Sequence, residues 1–299
     1  MNGIIVIDKP QDYTSFDVIA ILRKKLSQKK IGHMGTLDPM ATGVLPILLG
    51  STAKFQVFTS ENEKEYIAEI KFGIITDTWD IHGNILEKNN SNVTEIELKN
   101  VLTNFIGNIK QVPPMYSAIK KNGVKLCDLA RKGKEIEREA RNVEIKSIEP
   151  IIFDYENQTA KIKVLCSKGT YIRSLCYDIG KILKCGACMG DLRRTLSNSF
   201  TLEDSISLEK IKTLEVDDII LNHIFPTEHL FRKNKSVNIS EKQSQIFRNG
   251  VNLMLSRIVL SSDVKNNEFL KVYSNNKFIG LGRVDFEKDI LKYLKCENE

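Results

Sequence analysis

The chain has 299 residues, of which 41% are hydrophobic and 27% are charged, and its formal net charge is +6. These values exclude a disordered or collagen-like chain, and the length supports two domains with real cores. The longest apolar run near the start, residues 44–49, is far shorter than the roughly 20 residues that cross a bilayer. The first ten residues do not resemble a secretion signal, so we expect a cytoplasmic protein.

The first half of the chain combines helical and strand periodicity. Thr14 or Ser15 is expected to cap a helix whose apolar face consists of Phe16, Ile19, Leu22 and Leu26. Alternating apolar residues predict half-buried antiparallel strands over 66–72 and 160–166. Between them, Thr94 and Glu97 form a capping box at the start of a helix that ends at Gly107.

The second half continues with a helix whose apolar positions are Ile172, Leu175, Ile179 and Ile182. Another helical pattern covers 205–222, and a polar connection over 225–235 is expected to separate two domains. Beyond it, the pattern predicts a helix over 240–247 and strands over 269–273 and 278–284 that flank a turn at Asn275 and Asn276. The tail is therefore expected to be a small, mostly β module.

The segment 110–146 holds much of the positive charge, with ten basic residues against five acidic ones. It contains Pro113, Pro114 and Tyr116, and such a segment suits an arm that contacts RNA phosphates and stacks on bases. A solvated helical face is the other interpretation, and composition alone favours it.

Six cysteines lack the spacing of a disulfide scaffold, and reduced thiols are expected. Cys185 and Cys188 form one C-x-x-C pair without the second pair of ligands that a zinc site needs. We therefore expect no metal.

The densest cluster of polar and glycine residues lies at 31–45. Here Gly32, Gly35 and Gly43 accompany His33 and Asp38, but the spacing matches neither nucleotide-binding glycine motif. Taken alone, an aspartate before a proline more often bonds its own backbone in a turn.

The same cluster, Gly32 to Leu45, closely resembles the catalytic motif of the TruB family of tRNA pseudouridine synthases, and further family landmarks follow in order. These landmarks are Asp8-Lys9-Pro10 with Thr14-Ser15, Lys64-Glu65-Tyr66, residues 76–83, residues 112–118 with Lys120, residues 167–175 and residues 190–195. The resemblance covers residues 3–200 strongly, and so many ordered matches are far more specific than one motif.

The resemblance implies an α+β fold. A catalytic domain over 1–230 would contain a mixed, mainly antiparallel sheet flanked by helices and loops, with an RNA-gripping insertion at about 110–146. A small β-rich, PUA-like RNA-binding domain would follow over 235–299, because 278–282 resembles a strand of that domain.

The implied reaction is isomerisation of uridine to pseudouridine at position 55 in the T loop of tRNA, without cofactor or metal. Asp38 would be the nucleophilic carboxylate, acting either by attack on C1′ or by promoting loss of the base through a glycal. Arg173 would pair with Asp38 and hold it ionised. Tyr171 would act as a proton acceptor or as a substrate contact.

The substrate residues implied by the resemblance surround a base that leaves its stack. Tyr66 would stack on this base, Leu192 would line the pocket wall, and His33 would support the flipped-out loop. The T stem-loop of tRNA would be the partner of a monomer that requires no protein partner and no membrane. Two alternatives stay open, namely a guide-RNA-dependent pseudouridine synthase and a non-catalytic protein that binds or folds RNA.

Overall fold

The computed structural model describes residues 1–59, 63–117, 119–121 and 123–297. Among these residues, the chain forms a ten-stranded sheet, a five-stranded sheet, two short hairpins and seven α-helices. No helix in this part of the chain is long and apolar enough to span a membrane.

The strands up to the middle of the chain are β1 (Gly3–Lys9), β2 (Ile31–His33), β3 (Thr42–Leu49), β4 (Lys64–Phe72), β5 (Ile74–Thr76), β6 (Ile85–Lys88), β7 (Gly107–Gln111), β8 (Lys120–Lys121), β9 (Val124–Lys125) and β10 (Arg141–Asp154). The later strands are β11 (Thr159–Cys166), β12 (Ala187–Ser197), β13 (Phe200–Thr201), β14 (Ile206–Ser207), β15 (Ser236–Asn238), β16 (Leu253–Met254), β17 (Phe269–Ser274), β18 (Lys277–Asp285) and β19 (Ile290–Cys296).

The α-helices are α1 (Ser15–Lys25), α2 (Glu95–Leu102), α3 (Leu126–Ala130), α4 (Ile172–Ile182), α5 (Leu208–Thr213), α6 (Val216–Asn222) and α7 (Glu241–Arg248). Short 3-10 helices cover Gly50–Phe58, Thr103–Phe105, Thr227–Phe231 and Leu255–Arg257.

The large sheet has the order β14-β1-β3-β12-β4-β11-β10-β7, with β2 added to β3 and β13 added to β12. Its pairs are antiparallel except β1 with β14 and β3 with β12, so the prediction of a mixed, mainly antiparallel sheet is confirmed. The alternation predicted for 66–72 is also confirmed, because Tyr66, Ala68, Ile70 and Phe72 are buried in one hydrophobic cluster that includes residues of α1, α2 and α4.

The predicted first helix exists, but its apolar face was assigned wrongly at one residue. Thr14 caps α1 in a capping box with Asp17, and Phe16 is 62% exposed. The buried face begins at Ser15 and continues through Val18, Ile19 and Leu22 at helical spacing, which leaves Phe16 outside it.

Two further helix predictions need correction. Ile182, in the last turn of α4, is 47% exposed instead of buried. The continuous helix expected over 205–222 is wrong, because β14 opens this stretch and the chain is extended at Leu214 and Glu215, which separate α5 from α6.

The small sheet has the order β15-β17-β18-β19-β16 and its own hydrophobic cluster, which confirms a β-rich C-terminal unit. The predicted turn between β17 and β18 is present, with positive φ angles at Asn275 and Asn276 that suit a tight hairpin. A third cluster, which includes Val6 of β1, Phe55 and Leu281 of β18, packs the two sheets together.

Candidate active site

A loop between β2 and β3 carries Asp38, and buried polar contacts fix its course. Ser15 Oγ accepts a hydrogen bond from Leu37 N at 2.8 Å and donates to Leu37 O at 3.1 Å. Lys9 is fully buried, and its Nζ donates to Pro39 O at 3.1 Å as well as to Pro10 O and Tyr13 O in the connection between β1 and α1. Burial lowers the pKa of Lys9 to about 8. The position of the Asp38 backbone is therefore held from both sides.

Arg173 bridges two carboxylates at the start of α4. Its Nη2 lies 2.9 Å from Asp38 Oδ2, and its Nη1 lies 3.4 Å from Asp80 Oδ2. The same two nitrogens donate to Tyr116 O at 2.8 Å and Thr78 O at 3.3 Å. The Arg173 side chain is 6% exposed whereas that of Asp38 is 37% exposed, so the cation is enclosed while the carboxylate can be reached.

Asp80 is a residue that the sequence reasoning left without a role, although its acidic turn was recognised. Asp80 Oδ1 accepts from Thr78 Oγ1 at 2.9 Å and from His82 N at 3.1 Å. These bonds orient its second oxygen toward Arg173. The aspartate thus acts on Asp38 only through the arginine.

Tyr171 immediately precedes α4, at the predicted junction between strand and helix. Its backbone N–H donates to Gln111 Oε1 at 2.8 Å, and Gln111 Nε2 donates to Tyr171 O at 3.0 Å. The ring is half-buried, and burial raises the pKa of the phenol. Asp38 and Arg173 both contribute to the electrostatic environment of Tyr171, so the structure brings the three predicted catalytic residues together.

Tyr66 and Leu192 lie on the neighbouring strands β4 and β12, where Leu192 is paired with Ala68 and Arg194 with Tyr66. The side chains of Tyr66 and Leu192 belong to the buried cluster, and each residue is 6% exposed. Burial raises the pKa of Tyr66, and Asp38 contributes to its electrostatic environment. Tyr66 thus lies within electrostatic range of Asp38, and Leu192 lies on the adjacent strand in the same hydrophobic cluster.

Arg194 is a second residue that the sequence reasoning quoted without a role. It is fully buried, and its guanidinium donates to Val44 O at 2.7 Å, Gly35 O at 3.2 Å and Thr36 O at 3.4 Å. A buried arginine that donates to carbonyls of both the Asp38 loop and β3 fixes the position of that loop against the strand. Only the tertiary structure could reveal this, because these contacts span about 150 residues of sequence.

His33 lies on β2 and faces a different set of groups from Asp38. Burial is the main cause that lowers its pKa, and the charges of Arg194 and Lys64 act in the same direction, so the imidazole is neutral at pH 7. Its Nδ1 is buried and forms no hydrogen bond with any residue that the structure describes. The structure therefore places His33 beside basic residues, one loop away from the catalytic pair.

The Trp79 ring of the acidic turn contacts both α4 and the 110–146 segment. The rings of Trp79 and Tyr177 are 4.5 Å apart and nearly parallel, at 13°. Arg138 lies over the Trp79 ring at 5.3 Å and pairs with Glu135 at 3.0 Å. Since Trp79 is next to Asp80, this contact joins the insertion to the residues that orient Arg173.

The residues that the structure describes contain no group of three or more His, Cys, Asp or Glu side chains that could hold a metal ion. Cys185 and Cys188 are free thiols in the core, and burial raises the pKa of Cys188 to about 11. An unreactive pair of buried thiols suits packing better than redox chemistry.

Known proteins are similar to this chain over most of its length. Residues 23–172 match the family model described as TruB family pseudouridylate synthase (N terminal domain), and residues 173–232 match that of the tRNA pseudouridylate synthase B C-terminal domain. The tRNA pseudouridine synthase B of Clostridium tetani (strain Massachusetts / E88) is 47% identical over 284 residues, which cover 95% of this chain and 96% of that protein. That of Alkaliphilus oremlandii (strain OhILAs) is 43% identical, with 99% and 97% covered.

Among solved structures, a chain of the structure described as a Cbf5-Nop10-Gar1 complex superposes with a TM-score of 0.73 at 25% identity. The match covers 99% of this chain and 84% of that one. Because the family models and these relatives cover most of its length, the chain belongs to the TruB family of pseudouridylate synthases.

Proposed function

We propose that the protein isomerises uridine to pseudouridine at position 55 in the T loop of tRNA, with Asp38 as the nucleophilic carboxylate. The observation that carries this proposal is the partly exposed Asp38 carboxylate held at 2.9 Å by an enclosed Arg173. Membership in a family of pseudouridylate synthases supplies the reaction class. The names of the relatives supply tRNA as the substrate.

The chemistry needs one carboxylate rather than an acid pair. The bond from N1 of uracil to C1′ must break, the base must turn, and C5 must bond to C1′ and then lose its proton. Asp38 serves either as the group that attacks C1′ or as the base that promotes loss of uracil through a glycal. Arg173 fixes the direction of the carboxylate in both routes, which is the positioning that catalysis at one atom requires.

The base must leave its stack, at a cost of a few kcal/mol, before Asp38 can reach C1′. Tyr66 provides the aromatic face for stacking and Leu192 an apolar wall, while Tyr171 lies close enough to contact the uracil or to take the C5 proton. His33 supports the loop from which the base has left. The proximity of Tyr66 and Tyr171 to Asp38 supports these assignments.

RNA binding would involve the insertion at about 110–146 and the C-terminal sheet, which we interpret as part of a PUA-like domain over 235–299. The insertion contacts the site through the bond from Arg173 to Tyr116 O and through the Trp79 stack, so RNA held by it would lie near Asp38. We infer that residues 1–230 form the catalytic domain. We also infer that the protein acts as a monomer in the cytoplasm and needs no protein partner, cofactor or metal. The insertion also supports a stand-alone enzyme over a guide-dependent one.

The test is incubation of the purified protein with unmodified tRNA transcripts, followed by mapping of pseudouridine at single-nucleotide resolution. Conversion of U55 alone is expected, and a transcript with C55 should yield no product. Product at another position would refute the site assignment. Product that appears only after a guide RNA is added would favour the guide-dependent alternative, and RNA binding without any product would favour the non-catalytic one.

A further inference from the structure

Three basic side chains from three strands of the large sheet meet beside Gly35. Lys64 is the first residue of β4, Arg194 belongs to β12, and His33 ends β2. A Cβ atom added to Gly35 would lie 2.7 Å from Lys64 Nζ and 3.8 Å from Arg194 Nη1. The glycine therefore lets the half-buried Lys64 ammonium pack closely against the loop, where Thr36 is exposed, while Arg194 stays fully buried beside it.

This cluster lacks an acidic partner. Among the residues that the structure describes, no carboxylate forms an ion pair with Lys64, and the charged groups around it are Arg194 and Lys168. The neighbouring Glu65 is already engaged by Lys163 at 3.1 Å and by Thr195 at 2.8 Å. Cations that face one another without an anion are unfavourable, so the folded protein is prepared to bind one.

The position of the cluster selects the anion. Arg194 Nη2 donates to Gly35 O, three residues before Asp38, and Lys64 precedes Tyr66 by two residues on the same face of β4. Two residues along a strand cover about 7 Å, a distance that one nucleotide can span. A base that stacks on Tyr66 would thus bring a backbone phosphate near Lys64.

We propose that Lys64, backed by Arg194 and His33, binds one backbone phosphate of the substrate RNA next to the reacting uridine. This proposal rests on the proposed function. Lys64 is half-buried and makes the contact, whereas Arg194 is fully buried and contributes only its positive potential. The neutral His33 imidazole contributes its dipole to the phosphate site, and its Nδ1 forms no hydrogen bond with the described residues.

The contact should depend on pH in a defined direction. Burial, Arg194 and Lys168 lower the pKa of Lys64 to about 8, so the free protein loses this charge as pH rises above 8. The other charged groups that face Lys64 are Arg194 and Lys168. Burial raises the pKa of the Cys166 thiol to about 11 and lowers the pKa of His33, so neither of these groups changes its charge between pH 7 and 9. Glu63, next to Lys64 in the sequence, forms an ion pair with Lys146.

The experiment measures equilibrium binding of an unmodified tRNA transcript at pH 7 and pH 9 and at several salt concentrations. All proteins carry Asp38→Asn so that the RNA is not consumed, and this variant is the reference. For a group of pKa near 8 whose neutral form binds about tenfold more weakly, the reference should lose about fivefold in affinity from pH 7 to pH 9. Lys64→Arg stays charged at both values and should bind like the reference at pH 7 without this loss.

Lys64→Gln should bind the tRNA about tenfold more weakly at pH 7. The plot of log association constant against log salt should become less steep by about 0.7, the value for one phosphate contact of a single strand. Lys99→Gln is the matched control, since Lys99 is an exposed lysine of α2 paired with Glu95, and it should leave the slope unchanged. Circular dichroism and urea unfolding verify that each variant is folded.

Three outcomes would overturn the proposal. The first is a Lys64→Arg variant that retains the pH dependence of the reference, and the second is a folded Lys64→Gln variant with an unchanged salt slope. The third is stabilisation of the reference, but not of Lys64→Gln, by inorganic phosphate, with RNA affinity independent of Lys64, which would assign the site to free phosphate. Failure of any transcript to bind the reference would instead refute the proposed function itself.

Discussion

Replacement of Arg173 by methionine separates the structural from the catalytic work of this residue. The guanidinium serves four acceptors, namely Asp38 Oδ2, Asp80 Oδ2, Thr78 O and Tyr116 O. Methionine has a similar length but no donor. The two carboxylates and the two carbonyls must then find water or remain without a partner.

The cost falls mainly on Asp80. The Asp38 side chain is 37% exposed and can be hydrated, whereas that of Asp80 is 11% exposed. Breaking a buried ion pair costs about 3 to 5 kcal/mol, and we expect about 3 kcal/mol because Asp80 Oδ1 keeps its two donors. Adding Asp80→Asn removes the unpaired charge and should recover about 1 to 2 kcal/mol of the free energy of unfolding.

The assays are urea unfolding at pH 7 and single-turnover formation of pseudouridine. A misplaced nucleophile costs about 10²-fold or more in rate, so Arg173→Met should lose at least that much. The double variant should regain stability but not rate. Recovery of the rate to within tenfold would mean that Arg173 only neutralises Asp80, and a change in unfolding free energy below about 1 kcal/mol would refute the buried-pair reasoning.

Three other predictions concern the residues around Asp38. Tyr171→Phe should slow single turnover by about 10²-fold or more if the hydroxyl transfers a proton. Because burial raises the pKa of Tyr171, the rate of the parent should rise with pH above neutral, whereas the rate of the variant should not. A loss of rate below tenfold would show that the Tyr171 hydroxyl is not catalytic. Tyr66→Leu should lose about one to two decades and Tyr66→Phe clearly less, since only the former removes the stacking face; equal losses would indicate a role for the hydroxyl instead. Trp79 is the single tryptophan of the chain, so Arg138→Met should shift its fluorescence emission, and an unchanged spectrum would contradict the cation-π contact.

The sequence was most informative where a local rule decides the structure. The N-cap at Thr14, the capping box at Thr94, the alternation along β4 and the turn at Asn275 all depend on residues a few positions apart, and all are present. The errors arose where tertiary contacts decide. Phe16 has the right residue type for a buried face, yet the neighbouring Ser15 faces inward because its hydroxyl bonds Leu37.

The candidate site divides in the same way. Asp38, Arg173 and Tyr171 could be named because their motifs resemble those of a family. The roles of Lys9, Asp80 and Arg194 could not, since each depends on carbonyls or charges supplied by distant segments. That no carboxylate of the described residues pairs with Lys64 is likewise a property of the folded chain, because the sequence shows a lysine but not which groups surround it.

The most direct test of the central claim compares the parent with Asp38→Asn in single-turnover conversion of U55, with tRNA affinity measured in parallel. The amide keeps the shape of the side chain but cannot act as a nucleophile or base, so we expect affinity close to that of the parent and a rate lower by at least about 10³-fold. A folded Asp38→Asn protein that forms pseudouridine within tenfold of the parent rate would contradict the assignment of Asp38 as the reacting carboxylate.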